Sequence, residues 1–201
     1  MEKIHNTDNI DDFWNWFNSN NELLVSDKIN NDLIEQLDSK ILALGDFNWE
    51  IREGLIKENM LIVSAGGNRE LFQLAKHIVS LAPNITSWEF SHYKPAKIWD
   101  FTLSIKDTLG FGDSISVSSW EYVLLKFPDN TFDIIVRCLN ITNLKDDDKH
   151  TLIDIVLENI LGDEISYNFI KNVEIVNDFE DKYKNSKNSI VNLKEHFFSI
   201  L

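Results

Sequence analysis

Residues 60–83 read Met60-Leu61-Ile62-Val63-Ser64-Ala65-Gly66-Gly67-Asn68-Arg69-Glu70-Leu71-Phe72-Gln73-Leu74-Ala75-Lys76-His77-Ile78-Val79-Ser80-Leu81-Ala82-Pro83, and the pattern changes halfway. Met60 to Ala65 is an apolar run of strand length, as expected of a strand covered on both faces. Beyond the glycine pair, Leu71, Leu74, Ile78 and Leu81 recur at helical spacing. Asn68 stands where an N-cap belongs, and Pro83, which has no backbone N–H to give, ends the helix. Just upstream, Phe47, Trp49 and Ile51 alternate with Asn48, Glu50 and Arg52, the pattern of a half-buried strand. The connection Glu53–Asn59 fits a hairpin, so the two strands are expected to pair antiparallel.

Outward from this unit, both flanks extend the same logic. Ile10, Phe13, Trp14 and Phe17 form one helical stripe, with Asp8, Asp11 and Asp12 near the positive end of the helix dipole. Trp16 falls off that stripe, at its rim. A second helix is predicted from about Ile29 to Leu44, with Ile29, Leu33, Leu37 and Ile41 in register and Gly45 as its stop. From Trp88 to Leu139 the period becomes two, which predicts an antiparallel meander. Trp88, Phe90 and His92 share one strand face, and Phe101, Leu103 and Ile105 another; Ser114–Phe127 holds one bent strand or two. Pro128-Asp129-Asn130 turns the chain into Phe132–Leu139. A helix follows, opened by Asp146-Asp147-Asp148, carrying Leu152, Val156 and Ile160, and closed by Gly162. Val173–Val176 reads as a short strand, and residues 177–189 as a solvated loop. The last helix carries Ile190, Leu193, Phe197 and Leu201. The expected fold is α+β: one domain over residues 1–201, a central, mostly antiparallel sheet flanked by helices. Its parts are an N-terminal helical segment (8–45), an α/β core (46–176), the polar loop (177–189) and a C-terminal helix (190–201).

Composition narrows the function classes. With 201 residues, 43% hydrophobic and 11% aromatic, the chain can bury a core without staples. Thirty-three acidic residues against nineteen basic ones leave a net charge of −14. That field repels nucleic-acid phosphates and anionic membranes and attracts basic partners. Arg52, Arg69 and Arg137 are the only arginines, so the side chains that best read phosphates and base edges are scarce. No nucleic-acid or membrane partner is expected. The N-terminus lacks a basic stretch followed by an apolar run, and no segment reaches ~18 apolar residues, which together predict a cytoplasmic protein.

Few residues offer chemistry. The turn Gly66-Gly67-Asn68-Arg69 at a helix start could cradle an anion, with Arg69 assisting. It lacks the Lys-Ser/Thr of a P-loop, and Glu70 competes with an anion, so a capped Gly-Gly turn is the favoured reading. His92 sits among aromatics, beside Tyr93, with no orienting carboxylate on its strand face. The histidines show no zinc spacing, and Asp146-Asp147-Asp148 has no calcium-loop register, so no metal or cofactor is expected. Cys138 shares a face with Phe132, Ile134 and Val136 and reads as a buried, inert thiol.

Three segments carry a resemblance: Trp49-Glu50-Ile51-Arg52-Glu53-Gly54, Leu61 through Phe72, and Ala82-Pro83-Asn84-Ile85-Thr86-Ser87-Trp88-Glu89-Phe90. With the later Ile160-Leu161-Gly162-Asp163-Glu164, this order resembles an uncharacterised family of small bacterial cytoplasmic proteins. The resemblance implies bacterial origin and a shared α+β fold, and it transfers no catalytic residue. Two function classes stand. One is a non-enzymatic interaction module of immunity or accessory type, binding a basic protein through aromatic anchors such as Trp16 and Tyr93. The other is an enzyme or small-molecule binder with a site near Gly66, Gly67, Asn68, Arg69, His92 and Tyr93, in the Trp88–Phe101 neighbourhood. The first is favoured, because no spacing of acid, base or ligand marks a catalytic set.

Overall fold

The computed structural model describes residues 7–26, 31–110 and 112–201. Contacts divide the chain into two compact units, Met1–Lys94 and Pro95–Leu201.

The first unit opens with α1 (Thr7–Leu24) and α2 (Asn31–Leu44). The stripe Ile10, Phe13, Trp14 and Phe17 is buried as read, against Leu37, Ile41 and Leu44 of α2. The expected start of the second helix at Ile29 lies outside the described residues. β1 (Asn48–Glu53) and β2 (Asn59–Ser64) form the expected antiparallel hairpin, with Trp49 opposite Val63 and Ile51 opposite Leu61. α3 (Arg69–Ser80) follows, then β3 (Trp88–Ser91). β2 is central in the order β1-β2-β3 and buried from Met60 to Ser64, which explains its unbroken apolar run. Trp88 and Phe17 meet edge to face at 4.9 Å, so β3 docks its aromatic face on α1.

β3 corrects the expected meander. It pairs parallel with β2, because the chain returns through the helical crossover α3 rather than through a tight turn. The strand also ends before His92. The Ser91 hydroxyl donates to the Tyr93 carbonyl (2.6 Å) and accepts from the Tyr93 N–H (3.3 Å), closing a local turn that breaks the two-residue period.

The second unit holds β4 (Thr102–Ser104), α4 (Ile105–Leu109), β5 (Ser114–Ser116), β6 (Glu121–Lys126), β7 (Phe132–Arg137), α5 (Asp146–Leu161), α6 (Asp163–Phe169), β8 (Ile170–Val176), β9 (Asn188–Ser189) and α7 (Leu193–Ile200). The strand expected to carry Phe101, Leu103 and Ile105 is shorter: Phe101 has φ +60°, and Ile105 opens α4. The stretch 114–127 holds two strands, β5 and β6, which lie in different sheets. β6 and β7 pair as the Pro128-Asp129-Asn130 turn predicts, with the Asp129 carboxylate accepting the Thr131 N–H at 3.0 Å. The four-stranded sheet runs β8-β7-β6-β9, and β8 lies parallel to β7 after the α5–α6 crossover.

The architecture is therefore α+β, as read, with its strands divided among three small sheets. One face of the four-stranded sheet packs Tyr122, Phe132, Ile134 and Val136 against α5 and α7, through Leu152, Val156, Ile160, Leu193 and Phe197. The other face is covered at Val123 and Ile135 by Phe179, a buried aromatic inside the segment expected to be solvated loop.

Candidate functional site

The β2–α3 turn begins from its glycines. Gly66 has φ +53°, a conformation side chains disfavour, and a Cβ there would also collide with the Asn48 side chain, so this position favours glycine. The Gly66 N–H donates to the Ser64 hydroxyl (3.0 Å), and the Asn68 N–H to the Ala65 carbonyl (2.9 Å). Asn68 caps α3, its side-chain oxygen accepting the Glu70 N–H at 3.0 Å, while its carbonyl accepts the Leu71 N–H at 3.0 Å. An anion cradle needs several free amides converging on one point. Here the amides of Gly66, Asn68, Glu70 and Leu71 are engaged inside the turn, which leaves Gly67 as a lone donor of the glycine pair. The side chain of Arg69 lies outside the described residues.

His92 and Tyr93 come together with α3. The imidazole meets Phe72 edge-on at 5.4 Å and Tyr93 at 5.1 Å. Both His92 and Tyr93 are half-buried. This is an aromatic cluster, and the chemistry it offers is stacking. Trp16 is also half-buried: its indole N–H donates to Gln36 (3.3 Å), and the Lys40 ammonium lies 5.6 Å above its ring. One side of this candidate anchor is therefore covered by α2.

The structure adds a feature that periodicity did not mark. In the β1–β2 connection, Leu55 and Ile56 are 65% and 91% exposed. They do not hang on a loose loop. The Glu89 carboxylate of β3 accepts the backbone N–H groups of both residues. The Lys57 ammonium donates to the Ile85 carbonyl at 2.6 Å, clamping the far side. Exposed Glu53 and Glu58 flank the pair. The only sequence signal was an apolar dipeptide inside a turn.

A second surface feature lies in the other unit, where two clefts of about 430 and 170 Å³ run between α5 and β8. They share Asn172 and Val173 and so form one trough along the strand. Asp146, Lys149 and His150 wall one end; Asp154, Glu158 and Tyr167 wall the other. Burial pushes the Asp154 carboxyl up, opposed by His150. The Tyr167 hydroxyl is raised by burial and then by the carboxylates of Glu158, Asp154 and Asp163.

No family model, characterised protein or solved structure matches this chain.

Among the described residues, no group of three or more His, Cys, Asp or Glu is placed to share a metal ion. Cys138 is buried in the second core, and burial pushes its thiol up to about 11, away from the reactive thiolate. No helix among the described residues is long and apolar enough to cross a membrane.

Proposed function

We propose that this chain is a non-enzymatic protein-interaction module of bacterial origin, of immunity or accessory type, whose partner is a protein with a basic face. The Leu55–Ile56 tip supports this reading best. Two exposed apolar side chains on a clamped loop lose little conformational freedom on docking, so more of their burial goes into affinity. The neighbouring carboxylates Glu53 and Glu58 supply the polar rim of a contact and favour a positive counterpart. The chain's −14 charge speeds encounter with such a partner and suppresses binding to acidic ones. Trp16 and Tyr93, each half-buried, serve as further aromatic anchors.

The test is capture from native bacterial lysate at low and high salt. The bait is the whole chain, a Leu55→Ser/Ile56→Ser double variant, and the single variants Trp16→Ala and Tyr93→Ala. A basic protein should be recovered, less of it at high salt, and the double variant should lose it through faster dissociation. Recovery of nucleic acid or an acidic partner, or capture indifferent to the tip, overturns the reading.

A further inference from the structure

β8 is an edge strand. It ends the order β8-β7-β6-β9, and of its residues all but Lys171 pair with β7, on one side only. Among the described residues, no backbone group of Asn172–Val176 finds a partner outside the β7 ladder. Proteins usually blunt such edges with bulges and charges. β8 is guarded at its start, where the register shifts between Phe132 and Asp133 and Lys171 is exposed. From Asn172 onward the register with β7 is regular. That regular part is also the part that floors the trough described above, with α5 as the opposite wall. An open ladder beside a channel has the shape that receives an extended chain: main-chain bonds hold it, and alternate side chains enter the channel.

The charge on the walls selects the occupant. Asp146, Asp154, Glu158 and Glu174 line the trough against Lys149 and Lys171. Lys149 is already held by Asp146 at 2.9 Å, and the Lys171 ammonium reaches the Asn168 carbonyl at 3.4 Å. A second copy of this chain is disfavoured, since it would bring another −14 charge and the same carboxylates edge to edge. We propose that the open edge of β8 takes up an extended segment of a basic protein as an added strand, its lysines or arginines meeting Asp146 and Asp154 of α5 along the trough. The inference rests on the protein-binding function proposed above and names a contact separate from the Leu55–Ile56 tip.

The experiment uses the isotope-labelled full chain, titrated with a capped alternating Lys–Val peptide of about eight residues while backbone amide resonances are followed. Two further peptides carry N-methyl groups on the odd or on the even residues, and a Glu–Val peptide serves as the charge control. Amides of Asn172–Val176 and of His150 should shift, and the Glu–Val peptide should leave them unmoved. One methylation parity should bind like the parent and the other at least about tenfold more weakly, because only alternate N–H groups face the ladder. An Asp146→Lys/Asp154→Lys variant, changed at two exposed positions, should keep its amide dispersion and bind about tenfold more weakly. Equal tolerance of both parities overturns strand addition, as does equal binding of the Glu–Val peptide. Concentration-dependent self-association through β8, seen by sedimentation and abolished by the same double variant, assigns the edge to a second copy instead. Shifts confined to the Leu55–Ile56 region leave the protein-binding function standing and remove this inference. No peptide binding anywhere overturns the inference, and together with a failed lysate capture it removes the protein-binding reading as well.

Discussion

Two buried tryptophans in the first core differ in one hydrogen bond, and that difference is measurable. Trp14 donates its indole N–H to the Ile78 carbonyl at 2.9 Å. Trp88 is 1% exposed, and its indole nitrogen is buried without a partner among the described residues. Replacing either by Phe removes a similar volume from the same cluster. For Trp14 the substitution also loses a bond contributing about 1 kcal/mol; for Trp88 it relieves an unpaired donor costing about 1–3 kcal/mol. Trp14→Phe should therefore destabilise the chain by about 2 kcal/mol more than Trp88→Phe, read from denaturant unfolding. Equal losses would mean that the Trp88 N–H is satisfied in solution. At this scale the sequence was readable where chemistry is local. Asn68 as a cap followed from its place before a helical period, and the Pro128-Asp129-Asn130 turn from its composition. Ser91 was not readable as a strand terminator, since a serine on a strand face and a serine closing a turn look identical in one dimension.

At the scale of elements, the junction of β6, β7 and the chain entering β9 is held by one carboxylate. Glu121 on β6 accepts from Arg137 on β7 and from Lys187 at 2.9 Å, just before β9. Lys187 first, then Arg137, lowers the Glu121 pKa from its ordinary 4.5. For a carboxylate with a depressed folded pKa, the stabilisation is complete above the unfolded value and is lost as pH falls through the folded one. Glu121→Gln should thus lower the melting temperature at neutral pH, and the gap between variant and parent should close as pH drops below 4.5. A gap that persists unchanged in acid would show that the glutamine fails sterically rather than through charge. The network crosses three segments, so no window of sequence could announce it. The same holds for strand direction: period-two alternation looks alike in β3 and β7, and only the length of the preceding helical connection carries the parallel pairing of β3 and β8. Phe179 shows the complementary failure, because two isolated aromatics, Phe179 and Tyr183, leave no period in a polar stretch, yet Phe179 covers Val123 and Ile135.

For the whole molecule, the order of helical and two-residue periods foretold the α+β architecture, and composition a dominant negative field from 33 acids against 19 bases. The candidate surfaces were less legible, since exposure of Leu55 and openness of β8 depend on what the rest of the chain fails to cover. The field itself makes opposite predictions for folding and for binding. Self-repulsion at −14 opposes the compact state, and added salt screens it, with a Debye length near 10 Å at about 0.1 M. Salt also weakens attractive pairs, but several described ones are exposed surface contacts, such as Lys184–Asp181 and Lys182–Glu180, which contribute little net stability. Relief of repulsion should win, so the melting temperature should rise as sodium chloride increases from about 0.02 to 0.3 M. Over that same range, association with a basic partner should slow, since screening removes the attraction that steers encounter. The two effects are separable in one salt series, by thermal melting of the free chain and by the association rate with the captured partner. A melting temperature that falls with salt would mean that local ion pairs outweigh the net field in the folded state. An association rate indifferent to salt would mean that the field plays no part in recognition, and that the apolar tip acts alone.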